Sequence, residues 1–107
     1  MKRLVIGGLA ALAAALGVAA PAQASESFLS CGWGAGIASP VTSCEFAHNV
    51  RYAWFHQDGS VVLAYSPVTG QPYNMQCGTG FYATFNTGEV IDSIRCVGGN
   101  NAVVVVW

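Results

Sequence analysis

Four cysteines in one short chain, Cys31, Cys44, Cys77 and Cys96, limit what the polypeptide can become. No Cys-x-x-Cys pair occurs, and neither His48 nor His56 makes a close chelating pair with a cysteine, so a zinc site has little support. Two disulfides are the better reading. Each would contribute on the order of 3 kcal/mol to a domain too small to bury much apolar surface. Disulfides also imply an oxidising compartment, and the front of the chain agrees.

Lys2 and Arg3 precede an unbroken apolar or glycine run from Leu4 to Ala20, then Pro21 and Ala22-Gln23-Ala24. A positive start, an apolar core and small residues at the end form a secretory signal, with cleavage after Ala24. An uncleaved anchor is disfavoured, because seventeen Ala- and Gly-rich residues are marginal for a bilayer core of roughly 30 Å. Lipidation at Cys31 is disfavoured too, because Pro21, Gln23 and Glu26 separate the apolar core from Leu29-Ser30-Cys31. The chain thus divides into a signal peptide, 1–24, and a single secreted domain, 25–107.

Composition reads differently once the leader is set aside. The whole chain is 53% hydrophobic and 8% charged, which excludes a disordered polyampholyte and a multidomain enzyme. Residues 25–107 keep two arginines against five carboxylates, a net charge of −3. With no basic stretch, nucleic acid and anionic membrane are both excluded as expected partners.

One helix is legible. Pro40 precedes it, Thr42 and Glu45 have capping-box spacing, and Asp58-Gly59 follows a run to about His56. Helical spacing puts Phe46, Ala47, Val50, Ala53 and Trp54 on one face, with Glu45, His48, Asn49, Tyr52 and His56 opposite. Residues 25–39 are Gly-rich and read as an extended lead-in pinned by Cys31. Beyond Gly59 the pattern is strand and turn: Val61 to Ser66, Tyr73 to Cys77, an aromatic hairpin at 81–85, Val90 to Val97, and Ala102 to Trp107. The last run is apolar at successive positions and is expected to be a covered strand. The fold expected is α+β, one amphipathic helix on an antiparallel sheet of three to five strands. The Ser-Pro-Val-Thr tetrapeptide at 39–42 and 66–69 serves two different local roles and is not a repeat.

Three pairings of four cysteines are possible. Cys31–Cys44 ties the lead-in to the first helical turn across a flexible loop. Cys77–Cys96 then requires their strands to be neighbours, since bridged Cα atoms lie within about 7 Å. The 81–85 hairpin becomes an excursion in this scheme, and residues 98–107 pair with the strand carrying Cys96.

Thr42-Ser43-Cys44-Glu45-Phe46-Ala47-His48-Asn49-Val50 resembles the Thr-Ser-Cys-x-Phe-Ala-x-Asn-Val segment of small exported proteins of mycobacteria and related actinobacteria. Ser66-Pro67-Val68-Thr69-Gly70 with Tyr73-x-Met75-x-Cys77 is similar to a second segment of that family. Cys96-Val97-Gly98-Gly99-Asn100-x-Ala102-Val103-Val104 is similar to a third. The resemblance implies a secreted address, sometimes as an extracellular module of a larger protein. It brings no catalytic residue.

His48, Tyr52 and His56 form a ridge at i, i+4 and i+8, flanked by Glu45 and Asn49. A small hydrolase or metal-dependent enzyme using His48 and Glu45 is the alternative function. Two histidines two turns apart lack a third ligand between them, however, and a solvated face explains them as well. Asp92, in phase with Val90, Ile94 and Cys96, would need Arg95 or Arg51 as partner if it pointed inward. No Gly-x-Ser-x-Gly segment occurs and the carboxylates are scattered, so neither catalytic residues, nor a metal, nor a cofactor is assigned. Trp33, Tyr52, Tyr82 and Tyr65 are amphipathic aromatics suited to contacts. The expected role is non-enzymatic binding of a protein or cell-envelope component through Trp33, His48, Tyr52, His56 and Tyr82. Exported protein is expected to begin at Ser25, and an intact mass that retains Met1 refutes the cleavage site.

Overall fold

The structure, a computed structural model, describes residues 26–38 and 42–107. The leader, its cleavage site and Pro40 lie outside the described residues. The elements in chain order are β1 (Leu29–Gly32), β2 (Ala35–Ile37), α1 (Cys44–His56), β3 (Val61–Ser66), β4 (Gln71–Thr84), β5 (Val90–Gly98) and β6 (Ala102–Val106). Among the described residues the class is α+β, with one helix on an antiparallel sheet in the order β1-β2-β6-β5-β4-β3. No helix among the described residues is long and apolar enough to cross a membrane.

Among the described residues, six strands replace the three to five expected. Two come from the lead-in, where β1 and β2 form a hairpin. Strands of four and three residues rich in Gly and Ala leave no alternation to read. The aromatic segment 81–85 is also not an excursion. It continues β4, which runs for 14 residues with a register shift between Gly78 and Phe81. The glycines there carry an extra residue in a bulge instead of reversing the chain, with Gly80 at φ 75°.

That bulge turns the strand over. Met75 and Cys77 face the helix, whereas Phe81 and Ala83, at positions of the same parity, face the other side. The result is two cores on one sheet. In the first, Phe46, Ala47, Val50 and Ala53 of α1 pack on Ala35, Val62, Ala64, Met75, Val104 and Val106, and Trp54 joins at the margin. In the second, Phe28, Ala83, Phe85 and Val105 are buried with Phe81, Ile91 and Trp107 against them. Strand β6 supplies both, which is why Val104, Val105 and Val106 are all completely buried. The covered position expected for this run is the one observed, between β2 and β5.

The second core also rolls the sheet. Phe28, just before β1, bridges Phe85, just after β4. Its N–H donates to the Thr84 carbonyl at 3.0 Å, and its carbonyl accepts from Asn86 at 2.9 Å. The Phe28 ring meets Phe81 edge-on, with centroids 5.8 Å apart. Gly36 lets the roll close, because a Cβ there would sit 2.8 Å from the Phe85 ring.

Both expected disulfides are present, Cys31–Cys44 and Cys77–Cys96, and Cys77 pairs directly with Cys96 across β4 and β5. Two local expectations are corrected. Ser43, not Thr42, is the N-cap: its Oγ accepts from the Phe46 N–H at 3.1 Å. Thr42 is drawn into the protein, where its hydroxyl finds no partner among the described residues. Asp92 is exposed although it keeps the parity of Ile94 and Cys96, because this end of the sheet buries its other face, where Ser93 and Ile91 lie opposite Phe81 and Ala83. Arg95 pairs instead with Glu26, at 2.9 Å, and Arg51 donates to the Trp107 carbonyl, at 2.8 Å.

Phe28→Ala is expected to cost about 3 kcal/mol or more as a core cavity, and Leu29→Ala, half-exposed next door, about 0.5 kcal/mol or less. Denaturant unfolding with the disulfides intact measures both. Equal costs would mean that Phe28 does not close the roll.

Candidate functional site

The hairpin between β1 and β2 turns on two residues, Trp33 and Gly34, both at positive φ (57° and 75°). Two-residue hairpin loops of this kind favour Asn-Gly or Gly-Gly, because a bulky L-residue is strained there. Trp33 costs about 1–2 kcal/mol in that conformation. It recovers none of this through burial, since its side chain is 87% exposed. Gly34, by contrast, is required: a Cβ there would meet the Trp107 carbonyl and the Arg51 guanidinium at 2.5 and 2.6 Å.

The helix supplies the other side. His48, Arg51, Tyr52, Phe55 and His56 follow the i, i+3, i+4, i+7, i+8 spacing of one helical stripe. With Trp33 they line an open basin of about 380 Å³. The Cys31–Cys44 bridge holds hairpin and helix together. A second tie is the His48 Nε2–H, which donates to the Gly32 carbonyl at 3.1 Å. Arg51 gives a third, reaching past Gly34 to Trp107.

Inside the basin the side chains are ordered by one another. His56 Nδ1 donates to the Tyr52 carbonyl at 2.7 Å, and its ring stacks on the Tyr52 ring with centroids 3.8 Å apart. The Arg51 guanidinium lies 4.9 Å from the Phe55 ring centroid. In their neutral forms both histidines spend their N–H on a backbone carbonyl and leave the other ring nitrogen as an acceptor. Every chargeable group lining the basin except the Tyr52 phenol is basic.

Four of the five sequence-derived surface residues, Trp33, His48, Tyr52 and His56, therefore converge. Tyr82 does not join them: it lies on β4, opposite Asp92 of β5, and is itself exposed. Arg51 and Phe55 line the basin but were not singled out as surface residues. The helical stripe through His48 and Tyr52 contains both and was the available signal. Glu45 is exposed and makes no hydrogen bond to His48 among the described residues. Nor do three His, Cys, Asp or Glu side chains gather as metal ligands among the described residues. A smaller cavity of about 70 Å³ lies at the start of α1, between Thr42, Phe46, Thr69 and Tyr73.

Comparison with protein-family models, with curated proteins and with solved structures finds no match to any of them.

Trp33→Asn is expected to leave the fold intact and to raise stability by about 0.5 kcal/mol, because Asn tolerates the left-handed region. His56→Ala is expected to change stability by no more than about 0.5 kcal/mol. A large loss in Trp33→Asn, read from the denaturant midpoint, would make Trp33 a structural residue and remove it from the site.

Proposed function

We propose that this chain is an exported, non-enzymatic binding module that docks a protein partner through the Trp33 basin. The observation that carries the reading is Trp33 itself: a large aromatic at a strained turn, exposed to solvent, where a smaller residue would be more stable. Residues that break a local rule without a structural return mark functional positions. The surrounding Tyr52, Phe55 and Arg51 have the composition of interface hot spots, where rigid aromatic faces and a guanidinium give contact area at little entropic cost. The basic lining on a chain of net negative charge favours a partner segment bearing carboxylates. The apolar leader, the two disulfides and the resemblance to exported actinobacterial proteins supply the address.

Residues 25–107 contain no lysine, so amine crosslinkers are nearly blind to this protein and a photoreactive side chain is needed. Placed at Phe55, it is expected to yield a specific protein adduct when the domain is returned to its native culture. The same group at Tyr82 is expected to yield none, and Trp33→Asn is expected to abolish the Phe55 adduct. Equal labelling from both positions would refute the site. An adduct to glycan would keep the site and replace the partner by a cell-envelope polymer.

A further inference from the structure

We infer that the outer edge of β3 is a latent pairing edge for β3 of a second copy of this chain, held closed by Gln57 and Asn49. Strand β3 ends the sheet. It lacks the usual protections of an edge: within Val61–Ser66 there is no charge and no proline. Its inner residues Val62, Ala64 and Ser66 are buried, whereas Val61, Leu63 and Tyr65 are each about half exposed. The opposite edge is managed differently, since β1 is four residues long and its start is rolled onto Phe85.

The helix closes β3. The Gln57 side-chain amide donates to the Leu63 carbonyl at 2.9 Å and accepts from the Leu63 N–H at 2.9 Å. Asn49 Nδ2 donates to the Tyr65 carbonyl at 2.8 Å. Two reciprocal bonds to one residue are what an antiparallel partner makes at a hydrogen-bonded pair. Gln57 thus stands where the backbone of a neighbouring strand would stand. With it gone, two copies of β3 can meet about a two-fold axis. Leu63 then faces Leu63 of the second copy and repeats those two bonds, while Val61 faces the second copy's Tyr65. Gln57 suits the role because it lies immediately beyond α1: its own N–H still bonds the Ala53 carbonyl, while its extended backbone aims the side chain at the strand.

Sedimentation equilibrium on oxidised 25–107 tests the inference. Wild type is expected to be monomeric, and Gln57→Ala with Asn49→Ala is expected to double the mass at the same concentration. At dilution, the Leu63 amide of that variant is expected to exchange roughly tenfold faster than in wild type, the loss of about one hydrogen bond. Adding Leu63→Pro, which removes the outward N–H, is expected to restore the monomer. A folded variant that stays monomeric would overturn the pairing. So would a dimer that survives Leu63→Pro. Unchanged Leu63 exchange would overturn the role of Gln57. Should the double variant not fold, Gln57→Ala alone gives the same readouts, because alanine can neither accept from the Leu63 N–H nor donate to its carbonyl.

Discussion

The burial of β6 on both faces is the interaction on which the rest of this molecule depends. Val104 and Val106 seat the helix, and Val105, between them, seats the aromatic core on the far side. A valine fully removed from water contributes roughly 1.5–3 kcal/mol, and β-branched side chains suit a strand packed on both sides. Because β6 is central, it needs hydrogen-bonded neighbours on both edges, and β2 and β5 provide them. The β1–β2 hairpin, which carries Trp33, is therefore an obligatory neighbour of the core and not an appendage.

From that arrangement the basin follows. Trp107 directly follows β6; its N–H donates to the Gly34 carbonyl, and its carbonyl holds Arg51. The turn presenting Trp33 is thus fixed from below by the central strand, from the side by the Cys31–Cys44 bridge and from the helix by His48. Such a scaffold can hold one residue in the left-handed region against its preference. It also keeps the aromatic surface preorganised, which would lower the entropic cost of the binding proposed for it.

The same sheet must keep its edges from pairing at random, and it uses two devices. One end is rolled, through Phe28 and Phe85. The other is covered by side-chain amides from the helix and the residue that follows it. The first relies on residues distant in sequence, Phe28 and Phe85, whereas in the second Gln57 reaches only six residues on, to Leu63, and Asn49 sixteen, to Tyr65. Neither leaves a mark in the local pattern, because a Gln after a helix and a Phe before a short strand are ordinary residues.

Local chemistry determined a good deal. The helix from Cys44 to His56 was legible because its apolar positions recur at helical spacing and Asp58-Gly59 follows shortly after its end, although the chain leaves the helix through an extended Gln57 and Gly59 turns only beyond it. The two bridges were legible because a Gly-rich loop can bend freely and because strands joined by a disulfide must be neighbours. The covered C-terminal run was legible because no alternation breaks it. Tertiary structure decided what depends on context. Gly78 to Gly80 reads equally as a turn or a bulge, and only the partner strand β5 selects the bulge, sending Phe81 and Ala83 to the opposite face from Met75 and Cys77. Thr42 and Ser43 are both competent caps, and the burial of Thr42 selects Ser43. The convergence of Trp33 with the helical stripe was out of reach of sequence as well. No periodicity links a hairpin turn to a helix face; the Cys31–Cys44 bridge brings the two near each other, and packing on β6 sets Trp33 against the stripe.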